Sequence, residues 1–419
     1  MHDRFLKNIV WVMTIIMAFK ILGYFTLSEN VAITRVLKIF LRVGMTGLVW
    51  FILMYMKRVG YVASFTFNNI LSPVLYVLYL LLGFVSITWS TDPGYSLLQL
   101  VMTAESFVFI FLYMKVFLMV NHFHPEKLNL NQIFSTAIFL ILAGLLIGLI
   151  IAPDTFYRST RGGEEQRFGG YLMNPNELGM LASIGAAVGY LYVKDSKRKL
   201  WPVIQVVIGI VALVLTSSRS SIIGFFLVTV LIVQNYGSAK IKVGIYTMMM
   251  LTVPAVLNVI IFKAGDVEEV MSMTGRLPFW TALLNEGIVK EPFFGYGFMR
   301  IYYTDAFQSA NTYAGKMTHN TFIQVLMNLG FVGLFIALSQ LVMTLINYFT
   351  SSEKSLKVLF MAFFIPAIIN SFTEFGVFGE TNYAILFYQF LIFLFVIRYN
   401  PVFSKSEKLS LSRAGLVRA

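Results

Sequence analysis

Apolar runs alternate with polar breaks along the whole chain. Twelve runs cover roughly residues 9–27, 36–56, 70–89, 96–120, 133–152, 171–193, 200–216, 221–235, 243–262, 320–348, 356–371 and 383–398. A helix that crosses a bilayer needs about 20 mostly apolar residues, so the pattern predicts about twelve transmembrane helices. The stretch 200–235 is cut by Ser217-Ser218-Arg219-Ser220-Ser221 and reads as two short or tilted spans. Asp3, Arg4 and Lys7 precede the first run, and no small-residue cleavage site follows it, so an uncleaved first span is expected. The expected fold class is all-α: one polytopic transmembrane domain over 1–400, with a polar tail at 401–419. Two breaks are long, 153–170 and 263–319, and loops beyond about 15 residues are usually functional or disordered. The second is aromatic and patterned. Thr274-Gly275-Arg276-Leu277-Pro278-Phe279-Trp280 reads as a helix start running to about Lys290, before Glu291-Pro292. Arg276 and Trp280 then share one helix face. Gly295-Tyr296-Gly297 reads as a turn.

Composition narrows the class. The chain is 58% hydrophobic and 12% charged, with a mean hydropathy of +0.77. A soluble domain carries about 25% charged residues, and a soluble core has no room for this much apolar surface. Disordered, collagenous and disulfide-scaffold classes are excluded as well. The absence of cysteine removes disulfides, Fe–S ligation and thiol catalysis. No Asp-x-Asp motif or His/carboxylate cluster marks a metal site, and no cofactor is expected.

The net charge of +12 invites a nucleic-acid partner until its distribution is read. With the N-terminus inside, the cytoplasmic segments hold 19 Lys and Arg against five acids, with the block Lys194–Lys199 most prominent. The outer segments hold 11 against 14. This is the positive-inside pattern, with both termini cytoplasmic and no nucleic acid required. Inside, Lys outnumbers Arg 13 to 6; outside, Arg outnumbers Lys 7 to 4. A guanidinium fork suits a bidentate grip on phosphate, so the outer arginines draw attention. Lys20, Arg42 and Glu105 fall within spans and read either as functional groups or as a mutual ion pair.

Three inward-running spans begin with polar sequences: Arg167-Phe168-Gly169-Gly170 before Asn174-Pro175-Asn176, then Ser217 to Ser221, then Thr318-His319-Asn320. Helix N-termini present free N–H groups and partial positive charge, which favours anions. Three such ends, with Arg161, Arg167, Arg219, Arg276 and His319 nearby, point to a polyanionic ligand such as a pyrophosphate. His319, the one His of the outer segments, is the best available general base. Trp280 and Tyr296 read either as sugar or lipid contacts or as interfacial belt residues.

The ordered set Arg167-Phe-Gly-Gly-Tyr-Leu-Met-Asn-Pro-Asn176, Thr216-Ser-Ser-Arg219, Gly275-Arg276-Leu-Pro-Phe-Trp280, Pro292-Phe-Phe-Gly-Tyr-Gly297 and His319-Asn320-Thr-Phe-Ile-Gln-Val resembles the O-antigen ligase/polymerase superfamily of bacterial membrane glycosyltransferases. The resemblance spans roughly residues 160–340. It implies an inverting, metal-independent glycosyl transfer at the outer face of the cytoplasmic membrane. The implied donor is a glycan on undecaprenyl diphosphate and the implied acceptor a saccharide. It also implies that His319, Arg276 and Arg219 are catalytic. Arg167 is implied as a helper, and Arg161, Asn176, Ser218 and Asn320 complete the expected diphosphate and donor set under a cap made by the two long loops. Polymerisation of surface-polysaccharide repeat units is the first expectation. Ligation of finished glycan to lipid A core or another acceptor is the alternative. A secondary transporter or lipid flippase is the alternative of another class, although the polar features gather on one face and in the second half of the chain.

Overall fold

The structure is a computed structural model and describes residues 2–59, 63–123, 128–160, 165–261, 276–298 and 318–401. A helix occupies each of the twelve apolar runs. These are α1 (His2–Leu22), α2 (Val31–Arg58), α3 (Leu71–Val85), α4 (Pro93–Phe123), α5 (Leu130–Ile151), and, after a four-residue turn α6 (Pro153–Phe156), α7 (Pro175–Asp195), α8 (Leu200–Thr216), α9 (Arg219–Tyr236) and α10 (Ala239–Ile261). Beyond the short α11 (Arg276–Ala282) come α12 (Thr321–Thr350), α13 (Lys354–Asn370) and α14 (Tyr383–Leu394). Among the described residues, six helices are long and apolar enough to cross a membrane: Val31–Arg58, Leu71–Trp89, Pro93–His122, Leu130–Ile151, Arg219–Tyr236 and Thr321–Thr350.

The helices pack through small residues and buried polar pairs, as expected where lipid supplies no hydrophobic drive between them. A Cβ on Gly209 of α8 would lie 2.9 Å from the Ala186 nitrogen of α7, so the two backbones nearly touch. Between α3, α12 and α14, Gln340 Nε2 donates to Ser72 Oγ at 3.2 Å and the Tyr388 hydroxyl donates to Gln340 Oε1 at 2.5 Å. Inside the bundle, Lys20 Nζ lies 2.5 Å from Glu105 Oε1, and Arg42 Nε lies 3.8 Å from Glu105 Oε2. The in-span charges therefore pair with one another. Each neutralises a charge that would be costly in hydrocarbon.

The all-α expectation needs amendment at the periphery. β1 (Ala63–Phe67) pairs antiparallel with β4 (Ile397–Pro401), in register Phe65 to Tyr399. Residues 395–398, read as the end of the last span, leave the helix at Leu394 to make this strand. The partners lie more than 300 residues apart, so no local pattern announces them. The long break 153–170 is not an open loop. After α6 it forms a hairpin of β2 (Tyr157–Thr160) and β3 (Glu165–Phe168), with Arg158 opposite Arg167.

α12 is broken at Gly330, whose φ of 62° and ψ of −164° interrupt the helix. The segment after α11 fits into the break. Tyr296 N donates to Met327 O at 2.9 Å and Gly297 N to Asn328 O at 2.8 Å, while Phe331 N donates to Pro292 O at 2.8 Å. Backbone groups released by the break thus regain partners inside the protein, the condition for irregular chain at membrane depth. A Cβ at Gly330 would sit 2.2 Å from the Phe293 carbonyl carbon, which is why glycine is required there.

Candidate active site

The C-terminal end of α1, the N-terminal ends of α7, α12 and α14, and the loop after α13 converge at one end of the bundle. Thr26 N donates to Leu172 O at 2.8 Å, and Thr321 N to Ser371 O at 2.8 Å. Local sequence sets each helix start. Asn174 accepts from Asn176 N, with Pro175 at the first helical position, so α7 begins there and not at residue 171. Asn320 caps α12 by accepting from Phe322 N and Ile323 N, and Asn382 caps α14 by accepting from Ala384 N and Ile385 N.

His319 immediately precedes the α12 cap. Its φ of 50° is left-handed, a conformation that bulky residues rarely hold unless neighbours enforce it. Thr318 and Asn320 enforce it. Both are buried, Thr318 Oγ1 donates to Asn320 O at 2.8 Å, and Trp280 Nε1 donates to Thr318 O at 2.7 Å. The imidazole projects from this clamp with its side chain 38% exposed.

Its partner is a residue the sequence reading had not singled out. Glu374, in the loop between α13 and α14, is 5% exposed, and its Oε2 lies 2.7 Å from His319 Nδ1. Its Oε1 accepts from Arg276 Nη2 at 3.2 Å and from Asn176 Nδ2 at 2.9 Å. Arg276 Nη1 also donates to the Thr373 carbonyl. Asn176 Oδ1 in turn accepts from Arg167 Nη2 at 2.7 Å, and Arg167 Nε donates to Thr216 O at 3.0 Å. A continuous polar chain therefore runs from the end of α8, through β3, the start of α7 and Glu374, to His319 and Arg276. Arg219, half-buried, is the first residue of α9, three positions beyond Thr216. Ser218 and α9 differ from the other two polar helix starts, because Ser218 makes no side-chain cap bond to the helix it precedes.

Burial pushes the Glu374 carboxyl up. The hydrogen bond and charge of His319, the charge of Arg276 and the Asn176 amide outweigh it and hold the group below its ordinary 4.5. It is thus an anion at neutral pH. A carboxylate accepting at Nδ1 places the proton of neutral imidazole on that nitrogen and leaves the lone pair on Nε2.

The structure thus brings together four predicted residues, His319, Arg276, Arg167 and Asn176, around one missed residue. Others are placed differently. Ser218 is buried, with its hydroxyl 2.8 Å from Ser221 Oγ, and the Asn320 side chain is committed to its cap. Trp280 is buried in a small cluster with Phe279, Leu283 and Met327, and the Tyr296 hydroxyl donates to Gly287 O at 2.8 Å. These four side chains are engaged by hydrogen bonds or packing within the protein. The expected helix to Lys290 is continued after α11 by a π turn (Leu283–Gly287) and a short turn Ile288–Lys290. Arg161, Thr274 and most of 263–319 lie outside the described residues. The signal for Glu374 in sequence was slight: an acid in the short polar break Ser371–Asn382.

Residues 204–338 match the family model described as O-antigen ligase, which supports membership of the O-antigen ligase superfamily. No curated protein matches the chain. The matched span contains Arg219, Arg276 and His319. Arg167, Asn176 and Glu374, which complete the polar cluster, lie on either side of it.

Proposed function

From membership of that superfamily, we propose that this membrane protein is a glycosyltransferase that moves a saccharide from undecaprenyl diphosphate to a hydroxyl of an acceptor glycan, at the outer face of the bacterial cytoplasmic membrane. In this reading twelve helices span the bilayer, both termini are cytoplasmic, and the two long outer segments cap the site. The observation that carries it is the buried Glu374 that holds His319 through Nδ1 and Arg276 through its guanidinium.

A glycosyl diphosphate already contains a good leaving group. It needs charge neutralisation and one base. The acceptor hydroxyl gives its proton to His319 Nε2 while its oxygen bonds to the anomeric carbon. The bond from that carbon to the phosphate oxygen breaks, and the electron pair leaves on the lipid diphosphate. Attack opposite the leaving group inverts the anomeric centre. Arg276 and Arg219 stand as counter-charges for the diphosphate, with Arg167 as a helper. The α9 N-terminus, which lacks a side-chain cap, supplies N–H groups to the same end. Glu374 balances the imidazolium as it forms.

The acceptor reading is repeat-unit polymerisation. In cells lacking the protein, lipid extracts are expected to accumulate single repeat units on undecaprenyl diphosphate, and His319→Ala is expected not to restore transfer although it reaches the membrane in normal amount. Accumulation of long unattached polymer would replace polymerase with ligase. Transfer at the normal rate by His319→Ala would remove His319 from the mechanism.

A further inference from the structure

A second polar cavity adjoins the site. It encloses about 210 Å³ and is lined by Lys38 of α2, Arg158 of β2, Tyr171, Glu177 of α7, and Glu380 and Asn382 of the loop before α14, among others. Two chain segments are shared with the catalytic cluster. Asn176, which bonds Glu374, is followed by Glu177 facing the cavity, and Glu374 itself is followed by Phe375 in the cavity wall. One residue's width of chain separates the two sites at both places.

From this geometry we infer that the cavity is the acceptor subsite and binds a single sugar ring of the acceptor glycan, an inference that rests on the glycosyl-transfer reading. The lining has the chemistry of a polyol site. The carboxyl groups of Glu177 and Glu380 share the lining with the basic side chains of Lys38 and Arg158, so hydrogen-bond donors and acceptors are mixed around one small space. Sugar hydroxyls both donate and accept, and here meet the carboxyl groups of Glu177 and Glu380 and donors in Lys38 and Arg158. Tyr171, a residue 41% exposed, stands at the cavity, and its ring offers a face for the C–H side of a pyranose. The volume is below the roughly 300–1,000 Å³ of pockets for drug-sized ligands, which selects one ring over a whole oligosaccharide. The subsite is built before ligand arrives. Asn382 Nδ2 donates to Phe375 O at 3.1 Å and reaches Glu177 Oε1 at 3.5 Å, and Gln99 Nε2 donates to Glu380 Oε1 at 3.4 Å.

The test is calorimetric binding to the full chain in nanodiscs. The probe is the lipid-free repeat-unit oligosaccharide released from the cell's own surface polysaccharide. Wild type and His319→Ala are expected to bind it equally. Tyr171→Ala and Glu380→Gln are expected to bind at least tenfold more weakly, with unchanged thermal unfolding midpoints. Saturating the His319→Ala protein with intact lipid-linked donor is expected to leave binding in place. Unchanged affinity in both cavity variants, loss of binding in His319→Ala, no binding by wild type, or displacement by the donor would each overturn the assignment. Because binding involves no transfer, these outcomes are independent of whether His319→Ala is inactive.

Discussion

At the residue scale the site is organised by charge and by one strained backbone. His319 holds a left-handed conformation between two buried neighbours, and the reward is an imidazole with one nitrogen anchored and the other presented. Glu374 is its anchor. Glu374→Gln is expected to lower transfer by about 10²-fold or more while the protein still folds, measured as transfer rate beside thermal unfolding. Because the folded-state pKa of Glu374 is depressed, its contribution to stability is complete above the ordinary 4.5 and is lost as pH falls through the lowered value. The unfolding gap between wild type and Glu374→Gln should therefore be constant at neutral pH and shrink in acid below 4.5. A gap that did not shrink in acid would contradict the pairing. Arg276 bridges the Thr373 carbonyl and Glu374 with two nitrogens of one plane, which an ammonium cannot reproduce. Arg276→Lys and Arg219→Lys are both expected to be severely impaired in transfer assays. Full activity in either would show that its fork is dispensable.

Among the elements, the break in α12 is the feature that places the site. A straight α12 would leave no backbone partners for residues 292–297, and α11 with Arg276 and Trp280 would have no fixed attachment beside His319. Gly330→Ala is expected to be destabilised, by at least the ~1–3 kcal/mol of a forced left-handed residue, since its Cβ would also strike the Phe293 carbonyl. A melting curve in detergent checks this, and a wild-type midpoint would mean the 292–297 segment does not seat there. The broken helix was partly legible in the sequence. Gly295-Tyr296-Gly297 read as a turn and does turn, at φ of 63° and 100° for the two glycines. What the turn docks against was not legible, because Met327 and Asn328 look like ordinary members of an apolar helix.

On the scale of the whole molecule, cations alone handle the diphosphate in the proposed reaction. Transfer is therefore expected to persist in EDTA with purified protein and donor. Strong inhibition reversed by added Mg²⁺ would overturn the metal-free reading. The partition of charge belongs to this scale too. The +12 sits mainly in the segments read as cytoplasmic, whereas the site works through a few arginines set in a network with one buried carboxylate. In that reading bulk charge bears on orientation in the bilayer and not on the ligand.

What the sequence alone determined follows from properties that are local along the chain. Apolar runs of bilayer length became helices because only an internally hydrogen-bonded backbone is tolerated in lipid. Asn174, Asn320 and Asn382 started helices because a short amide side chain reaches the free N–H groups of the next turn. His319 and Arg276 were visible because their chemistry is scarce among so many apolar positions. The tertiary structure decided the rest. It joined β1 to β4 across the chain, folded 157–168 into a hairpin, buried Trp280 and Asn320, and brought Glu374 to His319 and Arg276. Those are pairings at a distance. An acid in a short loop acquires its meaning only when folding strips it of water and leaves cations, an amide and an imidazole as its partners.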